Sequence, residues 1–202
     1  MGASKVMIIR HAEKPEENYL GIDALGKMNP ESLITIGWER AGGIANLFCP
    51  ANDNFQNPAL AKPDFIYASD PARGKDSSKK PSRRPYETIL ALAAKLNLPP
   101  ITTFIDSDFS NMISAALLNT GTVLIAWQHQ DILPKAPSDD SIVSELLKQT
   151  RTGNLPGVPA GPWPGNRFDI VFVLDRPTGT GPFTRFTQVP QMLLAGDSIT
   201  PI

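Results

Sequence analysis

The chain has 202 residues, 41% of them apolar, and a formal charge of −1 at neutral pH. That length and apolar content suit a single packed domain over 1–202, and the near-neutral charge excludes a global field that would draw nucleic acid. No N-terminal stretch is apolar for long enough to be a signal peptide or a membrane span, so a cytoplasmic chain with no membrane partner is expected.

Val6-Met7-Ile8-Ile9 reads as the centre of a buried strand over about 5–10, stopped by Arg10 and His11, with Pro15 barring its continuation. A polar loop follows over 13–31. Thr35 is placed to cap a helix in which Trp38, Ala41, Ile44, Ala45 and Phe48 share one face, and Pro50 ends it. Cys49, the sole cysteine, excludes an internal disulfide and reads as a small apolar residue, not a nucleophile. A loop rich in Asn and Pro covers 51–62, and a second strand covers 64–68.

The stretch 70–83 is too rich in Ser, Lys and Pro to enter a core. It is locally basic and reads as a solvated loop, with recruitment of an anion as the functional alternative. Helical spacing resumes over 85–96, with Pro85 in the favoured first turn. A short third strand over 102–105, a helix over 109–118 and a buried strand from Gly121 follow, the last ending at His129. Ser138 or Asp139 is placed to cap a helix through Leu147, and 153–166 is a Gly- and Pro-dense surface loop. Strands over 168–174 and 183–189, joined by Pro177-Thr178-Gly179-Thr180-Gly181, form an antiparallel hairpin.

Alternating strands and helices predict an α/β fold: a mixed, mostly parallel sheet with helices on both faces. His11 and His129 are the only histidines, and each follows a predicted buried strand. Two parallel strands would bring both to one sheet edge, where ligands bind in such folds. An Arg beside a His suits phosphate, because the guanidinium grips two oxygens and a ring nitrogen can face phosphorus.

Arg10-His11-Ala12-Glu13 resembles the Arg-His-Gly-Glu signature of the histidine phosphatase superfamily, which includes the phosphoglycerate mutases; Ala12 replaces the usual Gly. Tyr67-Ala68-Ser69, then Arg84 four residues before Thr88, resembles that family's second block, here split by the stretch 70–83. His129 matches its second histidine, and Ile34-Thr35-Ile36-Gly37 loosely matches its Leu-Thr and Gly element. The blocks stand in family order from Val6 to His129.

The resemblance implies a three-layer α/β/α, phosphoglycerate mutase-like architecture and a metal-independent phosphatase acting on phosphate monoesters. His11 would attack phosphorus and form a phosphohistidine, while Arg10, Arg84 and His129 hold the phosphoryl oxygens. Arg84 is chosen over Arg83 by its distance from Thr88. The proton donor matches no family position cleanly. Asp106, Asp131 and Glu13 are its candidates, and Asp108 reads instead as a helix cap. Gly74-Lys75-Asp76-Ser77 lacks the spacing of a phosphate-binding P-loop, and the histidines and cysteine lack zinc spacing, so no metal and no cofactor are expected. The expected partners are a phosphorylated small molecule or phosphoprotein and inorganic phosphate. A phosphoglycerate-type mutase and a non-catalytic phosphate-binding module are the alternatives.

Overall fold

A computed structural model describes residues 2–74, 80–136 and 138–202. Its strands are β1 (Ala3–Arg10), β2 (Phe65–Ala68), β3 (Gly121–Trp127), β4 (Ile170–Asp175) and β5 (Arg185–Pro190). Its helices are α1 (Thr35–Phe48), α2 (Arg84–Leu96), α3 (Phe109–Leu118), α4 (His129–Ile132) and α5 (Ile142–Gln149). The strands form one sheet in the order β2-β3-β1-β4-β5. β1 and β2 both run parallel to β3, β4 is antiparallel to β1, and β5 is antiparallel to β4. Only β4 is therefore reversed, and the fold is α/β with a mixed sheet.

The central strands are apolar on both faces because both faces are covered. Along β1, Val6 and Ile8 pack with Met112, Ile113, Ile142 and Leu146 of α3 and α5. Met7 and Ile9 point the other way and pack with Ile44 and Phe48 of α1 and Ile89 and Leu92 of α2. The period of two thus divides one continuous apolar run between two cores.

The predicted strand over 102–105 does not form. Among the described residues Ile101 forms a single parallel bridge to Tyr67, and beyond it the Phe104 carbonyl accepts only one backbone bond, from the Asp70 N–H at 2.8 Å. β2 is four residues long and offers a third strand little edge to extend. Thr35 is not a cap: it is the first helical residue of α1, Ile34 holds the cap position, and no side chain bonds the exposed N–H groups. Neither Ser138 nor Asp139 caps α5. Ser141 does, accepting from the Ser144 N–H at 3.1 Å while Ser144 Oγ accepts from the Ser141 N–H at 2.7 Å. This reciprocal pair satisfies two otherwise unmade donors. Ser141→Ala is expected to cost about 1 kcal/mol, lowering the thermal midpoint by about 2–4 °C in a calorimetric scan.

The stretch 153–166 is not wholly a surface loop, because Leu155 and Trp163 are buried in the α3/α5 core. The Trp163 ring lies 4.7 Å from that of Phe172, and its Nε1–H donates to the Arg167 carbonyl. Cys49 follows α1 half-buried against the other core. Gly74 is described, but Lys75, Asp76 and Ser77 of the excluded P-loop lie outside the described residues, as does Lys79 of the basic loop. Its described part holds Arg73 to Asp70 at 2.6 Å. No helix among the described residues is long and apolar enough to cross a membrane.

Candidate functional site

The parallel pairing of β1 with β3 sets Arg10 opposite Trp127, and the His11 N–H donates to the Trp127 carbonyl at 2.9 Å. His129 begins α4 two residues beyond that carbonyl. Both histidines therefore stand at the same end of the sheet. α2 adds Arg84 as its first residue. Thr88, one turn on, accepts the Ala12 N–H at 2.8 Å and donates to the Arg84 carbonyl at 2.7 Å. A single hydroxyl thus ties the residue after His11 to the turn that carries Arg84.

Arg10 is fully buried. Its Nη1 donates to the carbonyls of Gly165 at 2.7 Å, Arg167 at 3.0 Å and Pro164 at 3.3 Å. Its guanidinium carbon lies 3.7 Å from the centre of the Phe168 ring, a cation–π stack that fixes the plane of the fork. Nε and Nη2 have no protein partner among the described residues. Burial pushes the Arg10 pKa down to about 10; Glu13 opposes that shift and the Arg84 charge adds to it.

Arg84 donates through Nη1 to the Pro30 carbonyl at 3.0 Å and lies 3.6 Å from Glu31, while its buried Nε has no protein partner among the described residues. Burial lowers its pKa against the pull of Glu31 and Glu87. Arg83 is different: it is half-exposed and meets Glu87 at 3.3 Å. Glu87 is buried and also accepts from the Ser32 hydroxyl at 2.8 Å and the Leu33 N–H at 3.0 Å, joining α2 to the loop before α1.

His11 is buried, with Nδ1 2.7 Å from the Ala12 carbonyl oxygen. A carbonyl only accepts, so in the neutral ring Nδ1 carries the proton and Nε2 keeps its lone pair. Burial holds the His11 pKa well below its ordinary value; the Ala12 carbonyl opposes this, and the charges of Arg10, Arg84 and His129 reinforce it. Burial likewise depresses the His129 pKa to about 4, helped by Arg10, Lys14 and Lys135. Both rings are neutral at pH 7. The buried His129 Nδ1 has no protein partner among the described residues, and neither has the hydroxyl of Ser69, just past β2. The structure therefore gathers Arg10, His11, Arg84 and His129 into one positively charged cluster at the sheet edge.

The three proton-donor candidates fall in different places. Glu13 faces Arg40: its Oε1 accepts from Arg40 Nε at 2.9 Å and Nη2 at 2.8 Å. Asp106 lies beside the end of β3, where its carbonyl accepts the Trp127 indole N–H at 3.2 Å and its carboxylate accepts from Gln128 at 3.4 Å. Asp131 is in α4, two residues past His129, and its backbone N–H donates to the Gln128 carbonyl. Asp108 does hold the cap position of α3, but its side chain accepts from Asn111 and not from the helix backbone.

Three residues at the site carry no local signal in the sequence. Arg40 bridges Glu13 to Asp197, 2.7 Å away, and donates to Gln191 at 3.1 Å. Desolvation alone would lower its pKa, but the bonds to Asp197 and Glu13 outweigh this and raise it. Asp197 in turn accepts the N–H groups of Leu193 and Leu194. Phe168 is the third. Gly37 permits the packing of α1 on the His11 loop, since a Cβ there would stand 2.6 Å from the Glu13 carbonyl oxygen. Among the described residues no group of three or more His, Cys, Asp or Glu side chains is placed to hold a metal ion.

No protein-family model matches the chain, and no curated protein matches it. Among solved structures it is similar to SixA of Agrobacterium tumefaciens, described as a candidate phosphohistidine phosphatase. The two share 15% identity at a TM-score of 0.47, over 91% of this chain and 97% of that one.

Proposed function

We propose that this chain is a metal-independent phosphomonoesterase that works through a phosphohistidine on His11. The observation that carries the reading is a neutral imidazole whose Nε2 keeps its lone pair, set beside Arg10, whose buried Nε and Nη2 have no protein partner among the described residues, and Arg84, whose buried Nε has none. Buried guanidinium N–H groups left without acceptors are costly, and the oxygens of a doubly charged phosphoryl group would offset that cost. His11 Nε2 attacks phosphorus as the bond to the ester oxygen breaks. Arg10, Arg84 and His129 stabilise the charge on the non-bridging oxygens, and water then cleaves the phosphorus–nitrogen bond to release inorganic phosphate.

Purified protein is expected to release phosphate from an aryl phosphate at the same rate with and without EDTA. Chelator-sensitive activity restored by a divalent ion would remove the histidine mechanism. Binding is checked separately by NMR titration of the two imidazoles. Phosphate brings negative charge beside rings whose pKa values are depressed partly by cations, so protonation becomes easier. The His129 midpoint is expected to rise from about 4 when phosphate is added. An unmoved midpoint would place the anion elsewhere.

The proton donor belongs to the proposal too. Asp106 and Asp131 rank level as its candidates, and Glu13, whose Oε1 accepts from Arg40, is the third. An alkoxide leaving group needs a proton and an aryl oxide hardly does. Asp106→Asn or Asp131→Asn is expected to cut alkyl phosphate turnover by about a hundredfold or more while leaving aryl turnover within a few fold. If neither variant separates the two esters, the chain has no dedicated acid and its natural substrate carries a good leaving group.

A further inference from the structure

Beside the charged cluster lies a cavity of about 860 Å³. Its wall holds Tyr19, Leu20, Ile22, Met28, Ile36 and Phe168. Two residues make it continuous with the proposed phosphate site. Phe168 stacks under Arg10 and lies 6.2 Å from the His11 ring, and Lys14, also in the wall, is close enough to depress the His129 pKa. The volume falls within the range of small-molecule sites.

The loop that supplies the apolar side chains is built, not loose. Ile22 donates its N–H to Leu33 at 2.8 Å and accepts the Trp38 indole N–H on its carbonyl at 2.7 Å. The Asn29 N–H donates to Gly21 at 2.8 Å, and a Cβ on Gly21 would stand 2.2 Å from the Asn29 carbonyl oxygen, so the two arms of the loop touch. Asp23 closes the tip by accepting the N–H groups of Leu25 and Lys27 at 2.9 Å. Yet Leu20 and Met28 remain 64% and 75% exposed on this braced frame. The charges in the wall are Glu13, Glu16 and Glu39 against Lys14, and Glu13 is paired with Arg40. A second anionic group on a ligand would therefore meet net negative charge.

We infer that this cavity takes the alcohol part of the substrate, and that the substrate class is a small phosphate monoester with a bulky aromatic or branched aliphatic group and no second anion. This rests on the phosphatase reading above. Each methylene moved from water into the cavity is worth about fourfold in binding, so the preference appears chiefly in KM.

The test compares phenyl phosphate with 4-tert-butylphenyl phosphate, whose leaving groups are of similar basicity. Wild-type kcat/KM is expected to favour the bulky ester at least tenfold. The double variant Leu20→Ser/Met28→Ser, at positions outside the core, should bring that ratio close to one. 4-(Carboxymethyl)phenyl phosphate should fall below phenyl phosphate. Equal rates for the first two esters in the wild type would overturn the cavity assignment and leave the phosphatase reading standing. Preference for a phosphotyrosyl peptide over the tert-butyl ester would also overturn it, in favour of a phosphoprotein. If no ester is turned over, the phosphatase reading fails, and calorimetry with phenylphosphonate and 4-tert-butylphenylphosphonate still decides the cavity: tighter binding of the bulky ligand, lost in the double variant, upholds it, and equal binding removes it.

Discussion

Replacing His11 with Ala is expected to reduce phosphate release by at least about a thousandfold, because the covalent route then has no nucleophile. The fold should survive the change. The contact of His11 to β3 is made by its backbone N–H, and among the described residues the one hydrogen bond of its ring is to the neighbouring Ala12 carbonyl. An unchanged far-ultraviolet circular dichroism spectrum would check this. Rapid quench with labelled aryl phosphate should trap an acid-labile, base-stable adduct on the wild type and nothing on the variant. An adduct that survives acid would assign the nucleophile to a hydroxyl or a carboxylate. Turnover persisting within tenfold of wild type would end the phosphohistidine reading altogether.

Arg84→Ala is expected to cost roughly 2–4 kcal/mol of transition-state stabilisation, tens to nearly a thousandfold in kcat, whereas Arg83→Ala should cost a few fold at most. The two arginines are adjacent, so the comparison holds charge and location nearly constant. What differs is environment. Arg84 is mostly buried, its Nε has no protein partner among the described residues, and its charge acts on His11. Arg83 is half-exposed and faces Glu87, a partly solvated pair of small value. The Thr88 hydroxyl holds the Arg84 carbonyl and the Ala12 N–H together, so the spacing of four residues from Arg84 to Thr88 is a physical link to the loop that carries His11. Equal losses from the two substitutions would put the phosphate on the other side of α2.

The Glu13–Arg40–Asp197 network bears on both results. Glu13 follows Ala12 directly, and its carboxylate is held by an arginine of α1 that also grips the segment near the C-terminal end of the chain. The loop bearing His11 is therefore fastened on three sides: by Trp127 of β3, by Thr88 of α2 and by Arg40 of α1. On the phosphohistidine reading proposed above, a nucleophile fastened in this way would lose little freedom on reaching phosphorus, which is how positioning contributes to rate.

Much of this molecule is determined by local sequence. The runs Val6 to Ile9 and Val123 to Trp127 are too apolar to be anything but buried, and their abrupt polar ends put Arg10, His11 and His129 at strand termini. The helix over 109–118 and the antiparallel hairpin follow from periodicity and turn chemistry alone. Other features were decided only by tertiary structure. The carbonyls of 164, 165 and 167 that orient Arg10 lie more than 150 residues from it, in a stretch whose Gly and Pro content reads as surface. Arg40 looks like one more polar position on a helix until Glu13 and Asp197 meet it from 27 and 157 residues away. Ser141 won the cap of α5 over Ser138 and Asp139 because capping depends on where the first turn begins, and the burial of Ile142 and Val143 decides that. Periodicity and turn chemistry record which face of each segment avoids water. The meeting of charges distant in sequence leaves no period to read, because it depends on how the packed layers bring those segments together.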